Sequence, residues 1–333
     1  MTQNKKYGFG IYGCGVVAKI HAAAINDIED ASLFGCADIS VSCAEKFANE
    51  YGIQPFADLD RMLSSDDIDV ICVCTPSGTH ADIAVKILEA DKNVILEKPM
   101  AISTSECDRI IEAAKKSKGK ITVMSQMRTA PDVRKLKSLI DEGALGQILL
   151  LELNMNYYRD EEYFRGSWRG TKKMDGGGAL MNQGIHGIDL IGYLLGKVSK
   201  VSSIVRTVFH DIEVEDMAVA NLEFENGTLG IVTASTATAP GFDRETKIFG
   251  TKGYAHLKDT RLIELMVDGE KIPCEEFISS GAATSNKFLG SAGHKRQIQE
   301  FIRVLNGEDI RYMDEYEGKT PVELIERIYK SSI

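Results

Sequence analysis

Two periods of hydrophobic and polar residues alternate along the chain, and the place where the alternation changes divides it. In the first part, short apolar runs at Tyr7 to Tyr12, Ala31 to Ala37, 69–74, 93–96 and 120–125 are separated by stretches with apolar residues every three to four positions. Those stretches predict helices from Val16 to about Asp27 and over 41–51, 58–64, 79–90 and 103–117. Apolar runs this short and unbroken suit strands covered on both faces, so the repeated alternation predicts a parallel sheet with helices on either side.

Beyond Pro131 the pattern changes. A helix over 132–142 and a strand over 147–157 are followed by strands near 200–209, 216–224, 228–236, 245–250, 253–257 and 262–267, several of them alternating strictly, as in a sheet solvated on one face. Asn226-Gly227 is a hairpin signal between two of them. Between the strand over 147–157 and the later strands lies Met174 to Leu195, MDGGGALMNQGIHGIDLIGYLL, in which three glycines lead into an apolar helix over Gly178 to Leu195. Helices near 292–305 and 319–331 close the chain. The expected architecture is therefore α/β. A doubly wound parallel sheet spans 1–125, and an α/β domain with a large open, mostly antiparallel sheet spans 126–333. That second sheet has little covering on one face, which is expected to meet another copy in a homodimer or homotetramer. Ile278 to Gly290 is thin in apolar residues and is the candidate mobile loop.

Composition narrows the partners. With 333 residues, 44% hydrophobic and 26% charged, the chain reads as an ordinary globular protein, and a net charge of −10 argues against nucleic acid or an anionic membrane surface. No run approaches the roughly 18 apolar residues of a membrane span. The N-terminus lacks the long apolar core of a signal peptide, so a reducing cytoplasm is the expected location. Seven cysteines are an odd number without zinc-ligand spacing, and no metal site is expected. Cys72 and Cys74 alternate inside a strand and read as small packing residues.

The chemistry starts at the first turn. Gly13-Cys14-Gly15-Val16-Val17-Ala18 follows a strand and opens a helix, the context in which G-x-G-x-x-G/A binds a dinucleotide. Gly13 allows the tight turn, Gly15 lets backbone approach a pyrophosphate, and the turn and helix N-terminus at Cys14, Val16 and Val17 face the phosphates with free N–H groups. Asp38 ends the second strand, 20 residues after Ala18, where a carboxylate takes ribose hydroxyls and repels a 2′-phosphate. NAD is thus expected over NADP, with Ile39 beside it. Two later strand ends are candidates for the rest of the cofactor: Thr75, Pro76, Ser77 and His80 after one, Glu97 and Lys98 after the other. Gln126 follows the last strand. Each also reads as a plain loop residue, with Ser77 or Thr79 capping the next helix.

In the later helix Asn182, His186 and Asp189 are spaced four and three apart, so a regular α-helix puts them on one face. Substrate hydroxyls would satisfy such a stripe, and so would ordinary packing partners. Tyr157 to Lys173, YYRDEEYFRGSWRGTKK, is aromatic and basic. Tyr157 and Trp168 offer faces for a sugar ring, while Arg159, Arg165 and Arg169 suit a carboxylate or phosphate. Arg128, near the domain junction, reads either as a cleft residue that meets substrate or as a pin between the domains. His294 starts a helix and reads either as a cleft residue or as an exposed one.

Taken together, GFGIYGCGVVAKIHAAAI, CTPSGTHADIAVKILEADKNVILEKPM and GGGALMNQGIHGIDLIGYLLG resemble the glucose-fructose oxidoreductase / inositol dehydrogenase (Gfo/Idh/MocA) family, in order and across nearly the whole chain. The resemblance implies a Rossmann domain, a nicotinamide cofactor, a C-terminal sheet that mediates oligomers, and oxidation or reduction of a sugar or polyol. It also implies that Lys98 and His186 are catalytic. Where inositol dehydrogenases have aspartate four residues before that histidine, this chain has Asn182, and Asn-x-x-x-His is similar instead to UDP-N-acetylhexosaminuronate 3-dehydrogenases. The expected activity is hydride transfer between NAD(H) and a secondary alcohol of a sugar, sugar nucleotide or polyol. A redox-neutral NAD-dependent glycosidase and a non-catalytic NAD sensor are the alternatives.

Overall fold

A parallel six-stranded sheet organises the first of two units, Met1–Gln126 with Gly290–Lys319. The computed structural model describes residues 5–275 and 290–333. The strands are β1 (Tyr7–Tyr12), β2 (Ala31–Ala37), β3 (Gln54–Pro55), β4 (Val70–Val73), β5 (Asn93–Leu96) and β6 (Ile121–Val123), in the order β3-β2-β1-β4-β5-β6. Every pairing is parallel. The order reverses between β1 and β4, which makes the carboxyl ends of these strands the place where such sheets bind ligands. Helices α1 (Val16–Asn26), α2 (Val41–Tyr51), α3 (Leu59–Leu63), α4 (His80–Glu89) and α5 (Thr104–Ala114) connect them.

All of β4 and β6 is buried, as the unbroken apolar runs require. On one face of the sheet Phe9 and Ile11 meet Ala18, Ala22 and Ile25 of α1, and the same cluster takes in Ile298, Phe301 and Ile302. Those last three belong to the helix Ala292–Leu305, which the sequence places with the second domain. Its amphipathic stripe shows that it needs a core without saying which core. Each such side chain contributes roughly 1.5–3 kcal/mol by leaving water, enough to commit the segment to this unit.

The second unit comprises Met127–Leu289 with Thr320–Ile333. Its strands are β7 (Ile148–Asn156), β8 (Val198–Arg206), β9 (Met217–Phe224), β10 (Leu229–Ser235), β11 (Glu245–Gly250), β12 (Gly253–Lys258), β13 (Arg261–Val267) and β14 (Glu270–Lys271). They form one eight-stranded sheet, β14-β13-β12-β11-β7-β10-β9-β8, antiparallel except for the β7/β10 pair. The helices are α6 (Pro131–Asp141), α7 (Glu161–Phe164) and α8 (Ile185–Leu195), with α9 (Ala292–Leu305) and α10 (Glu315–Lys330) completing the chain. Alternation along the strands sorts the faces. Leu151, Leu153, Met155, Ala220, Leu222 and Val232 are buried, whereas Ile204, Val219, Leu229 and Ile231 are exposed. The Asn226-Gly227 turn joins β9 to β10 as the hairpin signal predicts, with Gly227 at φ 84°.

Two differences from the sequence reading bear on the site. The helix expected over Gly178 to Leu195 is broken into a π-helical turn, Ala179–Gly184, followed by α8. The segment after Tyr157 carries the short helix α7, capped by Asp160, which accepts from Tyr163 N. The candidate mobile loop falls largely on 276–289, outside the described residues. All seven cysteines are free, and burial pushes the Cys72 and Cys74 thiols up, in keeping with a packing role.

Candidate active site

Gly13 has φ +95°, and a Cβ there would sit 2.8 Å from the Cys74 carbonyl, so only glycine fits between β1 and the end of β4. Gly15 differs: nothing of the protein lies within 4 Å of where its Cβ would be. It is the N-cap of α1, with no side-chain cap and no acidic residue in the first turn. An open cradle at a helix N-terminus is suited to an anion such as a pyrophosphate. Val16, next in the chain, is 64% exposed.

Asp38 closes one side of this turn. Its Oδ2 accepts from Cys14 N at 2.7 Å and its Oδ1 from Ser40 N at 2.8 Å, which fixes the carboxylate at the end of β2. Ile39 beside it is 93% exposed, an apolar surface that packing within the unit does not use. The residues present therefore fit a dinucleotide: a cradle for phosphate, a braced carboxylate for ribose and an uncovered apolar flank.

At the end of β4, Thr75 and Pro76 lead into the short turn Ser77–Thr79, where Thr79 donates to Pro76 O. His80 begins α4 and is buried. Its Nδ1 lies 2.8 Å from Pro99 O and its Nε2 2.9 Å from Thr75 O, so it ties the turn after β4 to the turn after β5. Burial lowers its pKa, opposed by the two carbonyls. Both ring nitrogens are engaged by backbone, which makes His80 a brace between the two turns.

The turn after β5 carries Glu97 and the half-buried Lys98. Glu97 is buried between two imidazoles: Oε1 lies 2.8 Å from His21 Nε2 of α1 and 3.4 Å from His294 Nε2 of α9, and Oε2 accepts from Lys98 N at 3.2 Å. Burial would raise the Glu97 pKa, but the hydrogen bonds from His21 and His294 outweigh it and hold the carboxyl well below the usual range. Burial pushes His21 down, more strongly than Glu97 pulls it up. The neutral His21 ring thus donates from Nε2, and its Nδ1 has no hydrogen-bond partner among the described residues. The sequence left His294 undecided and did not single out His21; a polar residue at each amphipathic helix's buried face was the only signal. Gln126 follows β6 and opens the turn Gln126–Thr129, packed beside Gly293.

The second unit holds the remaining candidates. Arg128 makes a two-pronged contact with Asp189, Nε to Oδ2 at 2.9 Å and Nη2 to Oδ1 at 2.6 Å, and its guanidinium lies 5.0 Å from the Tyr193 ring centre. The two-pronged contact pairs Arg128 with the buried Asp189 of α8.

Asn182 sits in the π-helical turn, where Nδ2 donates to the buried Asp175 and Oδ1 accepts from Gln183 Nε2 at 3.2 Å. Gln183 Nε2 also donates to Tyr163 OH at 2.8 Å, while its Oε1 accepts from Arg159 Nη2 at 2.8 Å. Arg159 lies over the Tyr157 and Tyr163 rings, and Arg169 lies 4.6 Å from Tyr163 and 5.3 Å from Trp168. Burial lowers the Arg159 pKa and raises that of Tyr163. The aromatic, basic segment and the polar stripe thus form one network, through Asp175, Gln183 and Tyr163, which the sequence reading did not select. Glu215 holds the start of the π turn: Oε2 accepts from Gly178 N, and Oε1 from Leu180 N and Tyr329 OH. His186 follows in the first turn of α8, half-buried.

Comparison with known proteins identifies the family and the fold. Residues 7–125 match the model of an oxidoreductase family with an NAD-binding Rossmann fold, and residues 133–256 match the GFO/IDH/MocA C-terminal domain. The myo-inositol 2-dehydrogenase of Thermotoga maritima is 25% identical, covering 79% of this chain and 78% of its own. The glucose-6-phosphate 3-dehydrogenase of Bacillus subtilis is 32% identical, covering 56% and 53%. The WlbA dehydrogenase of Bordetella pertussis, solved in complex with NADH and UDP-GlcNAcA, superposes with a TM-score of 0.88 at 29% identity, over 98% of this chain and 97% of that one. With a nucleotide-binding sheet in the first unit and this open sheet in the second, the chain belongs to the Gfo/Idh/MocA family of sugar and polyol oxidoreductases.

Proposed function

We propose that this protein transfers a hydride between NAD and a secondary alcohol of a sugar, sugar nucleotide or polyol, a pyranose C3 hydroxyl being one such position. The observation that carries the reading is the pairing of the open Gly15 cradle with the braced Asp38 carboxylate, in a chain of this family. Asp38 accepts ribose hydroxyls and repels a 2′-phosphate, which favours NAD over NADP. When bound, the nicotinamide ring supplies the hydride acceptor.

The chain's own side chains handle the proton and the oxygen. His186 takes the hydroxyl proton as general base. Lys98 donates a hydrogen bond to the same oxygen as it becomes a carbonyl, where charge develops. Asn182, held by Asp175 and Gln183, orients a neighbouring hydroxyl with its amide. Arg169 over Tyr163 and Trp168, with Arg159 behind it, favours an acidic or nucleotide-linked sugar, in keeping with the UDP-GlcNAcA bound by the Bordetella relative. The exposed Ile204, Val219, Leu229 and Ile231 of the eight-stranded sheet support a homodimer or homotetramer through that face.

The test is a screen for NADH formation with myo-inositol, free hexoses, hexose phosphates, glycosides and UDP-hexosaminuronates, each with NAD and NADP. NAD-dependent NADH accumulation with a sugar or polyol is expected. Sugar release from a glycoside without net NADH would instead mean redox-neutral cleavage, and no turnover of any class would overturn the reading.

A further inference from the structure

The hydride transfer described above gives no task to a buried charge that lies next to Lys98 in the chain. Glu97 precedes Lys98, and its side chain is 7% exposed between His21 at 0% and His294 at 7%. Burying an ionised carboxylate costs several kcal/mol that even a good partner set barely offsets, and an apolar residue of similar volume would serve stability as well. A charge kept in such a place calls for a role besides packing.

A bound metal ion is one explanation, since the donor atoms of the three residues lie within 4.8 Å of one another. The geometry speaks against it. Ligand atoms around a tetrahedral zinc ion stand about 3.3 Å apart, given metal distances of roughly 2.0–2.1 Å. His21 Nε2 and Glu97 Oε1 are 2.8 Å apart, a separation that holds a proton.

We propose that Glu97, clamped by His21 and His294, is a positioning residue that sets the pose of Lys98; the inference rests on the catalytic reading of Lys98 given above. One carboxylate oxygen is held by the two imidazoles and the other takes the Lys98 N–H at 3.2 Å. On the far side of the lysine, His80 holds the Pro99 carbonyl at 2.8 Å. The backbone on both sides of Lys98 is therefore pinned by side chains from α1, α4 and α9. A lysine's four-carbon stem delivers its ammonium to one point only if its base is fixed, and an error of about 1 Å in such a group can cost on the order of 100-fold in rate.

The experiment is a double-mutant cycle, Glu97→Gln and Lys98→Met singly and together, using the best substrate from the NADH screen. Glu97→Gln should lower kcat by roughly 10- to 100-fold with little change in KM for NAD. On the Lys98→Met background it should cost nothing further, because there is no ammonium left to misplace. An equal loss on both backgrounds would mean a general structural role and would overturn the inference. If Lys98→Met alone left turnover unchanged, the catalytic reading of Lys98 would fall instead.

A second readout needs no substrate. Reductive methylation of Lys98 by formaldehyde and cyanoborohydride, followed by peptide mass spectrometry, should change by about threefold or more in Glu97→Gln and in the milder His21→Asn. Lys19 and Lys86, exposed lysines of the same unit, are the internal controls. An unchanged Lys98 rate relative to these controls overturns the inference. Should Glu97→Gln fail to fold, as judged by thermal melting, His21→Asn carries both readouts.

Discussion

Around Lys98 the contacts fall on the backbone, and at Asn182 they fall on the side-chain amide. The turn that carries Lys98 follows a parallel strand buried over Val94 to Leu96, and the Glu97 carboxylate on the Lys98 N–H and His80 on the Pro99 carbonyl hold it. The turn that carries Asn182 is a π-helical segment whose Asn182 and Gln183 meet Asp175, Tyr163 and Arg159, drawn from separate stretches of the second unit. The first arrangement constrains where a functional group starts. The second constrains where it ends, and it can be retuned one side chain at a time without disturbing the sheet beneath. In the proposed mechanism the first plan serves the oxygen beside the cofactor and the second serves substrate choice.

The sharpest way to separate the units is to damage one and read the other. Asp189→Ala leaves Arg128, 11% exposed, without its counter-charge, and should destabilise the protein by about 3–5 kcal/mol in urea unfolding. NAD affinity of the remaining folded protein, followed by titration, should stay near that of the parent. A smaller loss of stability would mean that the fork is not the main restraint on Arg128. Next in size, Lys98→Met or His186→Ala should lower turnover by roughly 100-fold, about 2.7 kcal/mol, with NAD still bound. Near-parental rates in both variants would remove these side chains from the mechanism.

Asp38→Ala tests the first plan more gently. Losing a carboxylate that meets hydroxyls should weaken NAD binding by about tenfold, while NADP, freed of repulsion, should bind no worse than before. Equal loss for both cofactors would place Asp38 in the turn's stability alone. The smallest effect is on pH. Burial holds His21 and His80 below the ordinary histidine value of 6.5, so the unfolded chain takes up protons that the folded one refuses. Their stabilising contribution is therefore complete above pH 6.5 and is lost as the pH falls through their depressed values. Melting temperatures measured from pH 7.5 downward should begin to fall below about 6.5, before ordinary carboxylates titrate. A flat profile over that range would mean that the buried imidazoles are already charged.

How much of this was legible beforehand follows from the same contrast. Gly13, Gly15 and Asp38 were readable because a parallel strand, a tight turn and a helix start leave few residue types that fit, so local sequence nearly determines local geometry. The alternation of β7 to β13 announced a sheet with one open face for a similar reason. Asn182 and His186 were readable only as a stripe on a regular helix, and the π turn changed their spacing. Nothing in a 3.6-residue pattern warns of an inserted residue, because the tight hold of Glu215 on Gly178 N and Leu180 N is made by a side chain far along the chain. The pairing of Arg128 with Asp189 was not legible, since a paired guanidinium and an unpaired one have the same letter. The assignment of α9 was out of reach for the same cause: amphipathicity announces that a face will be covered and is silent about by whom.

That assignment matters for how the chain is made. Phe301 and Ile302 complete the core around α1, and His294 completes the setting of Glu97, yet all three are synthesised after residues 127–289. During translation the nucleotide-binding sheet must wait on the ribosome with one flank bare while the intervening segment emerges and finds its own sheet. Its earliest-made half is thus among the last to become native, and a nascent chain stopped before Ala292 should be the form most dependent on chaperones.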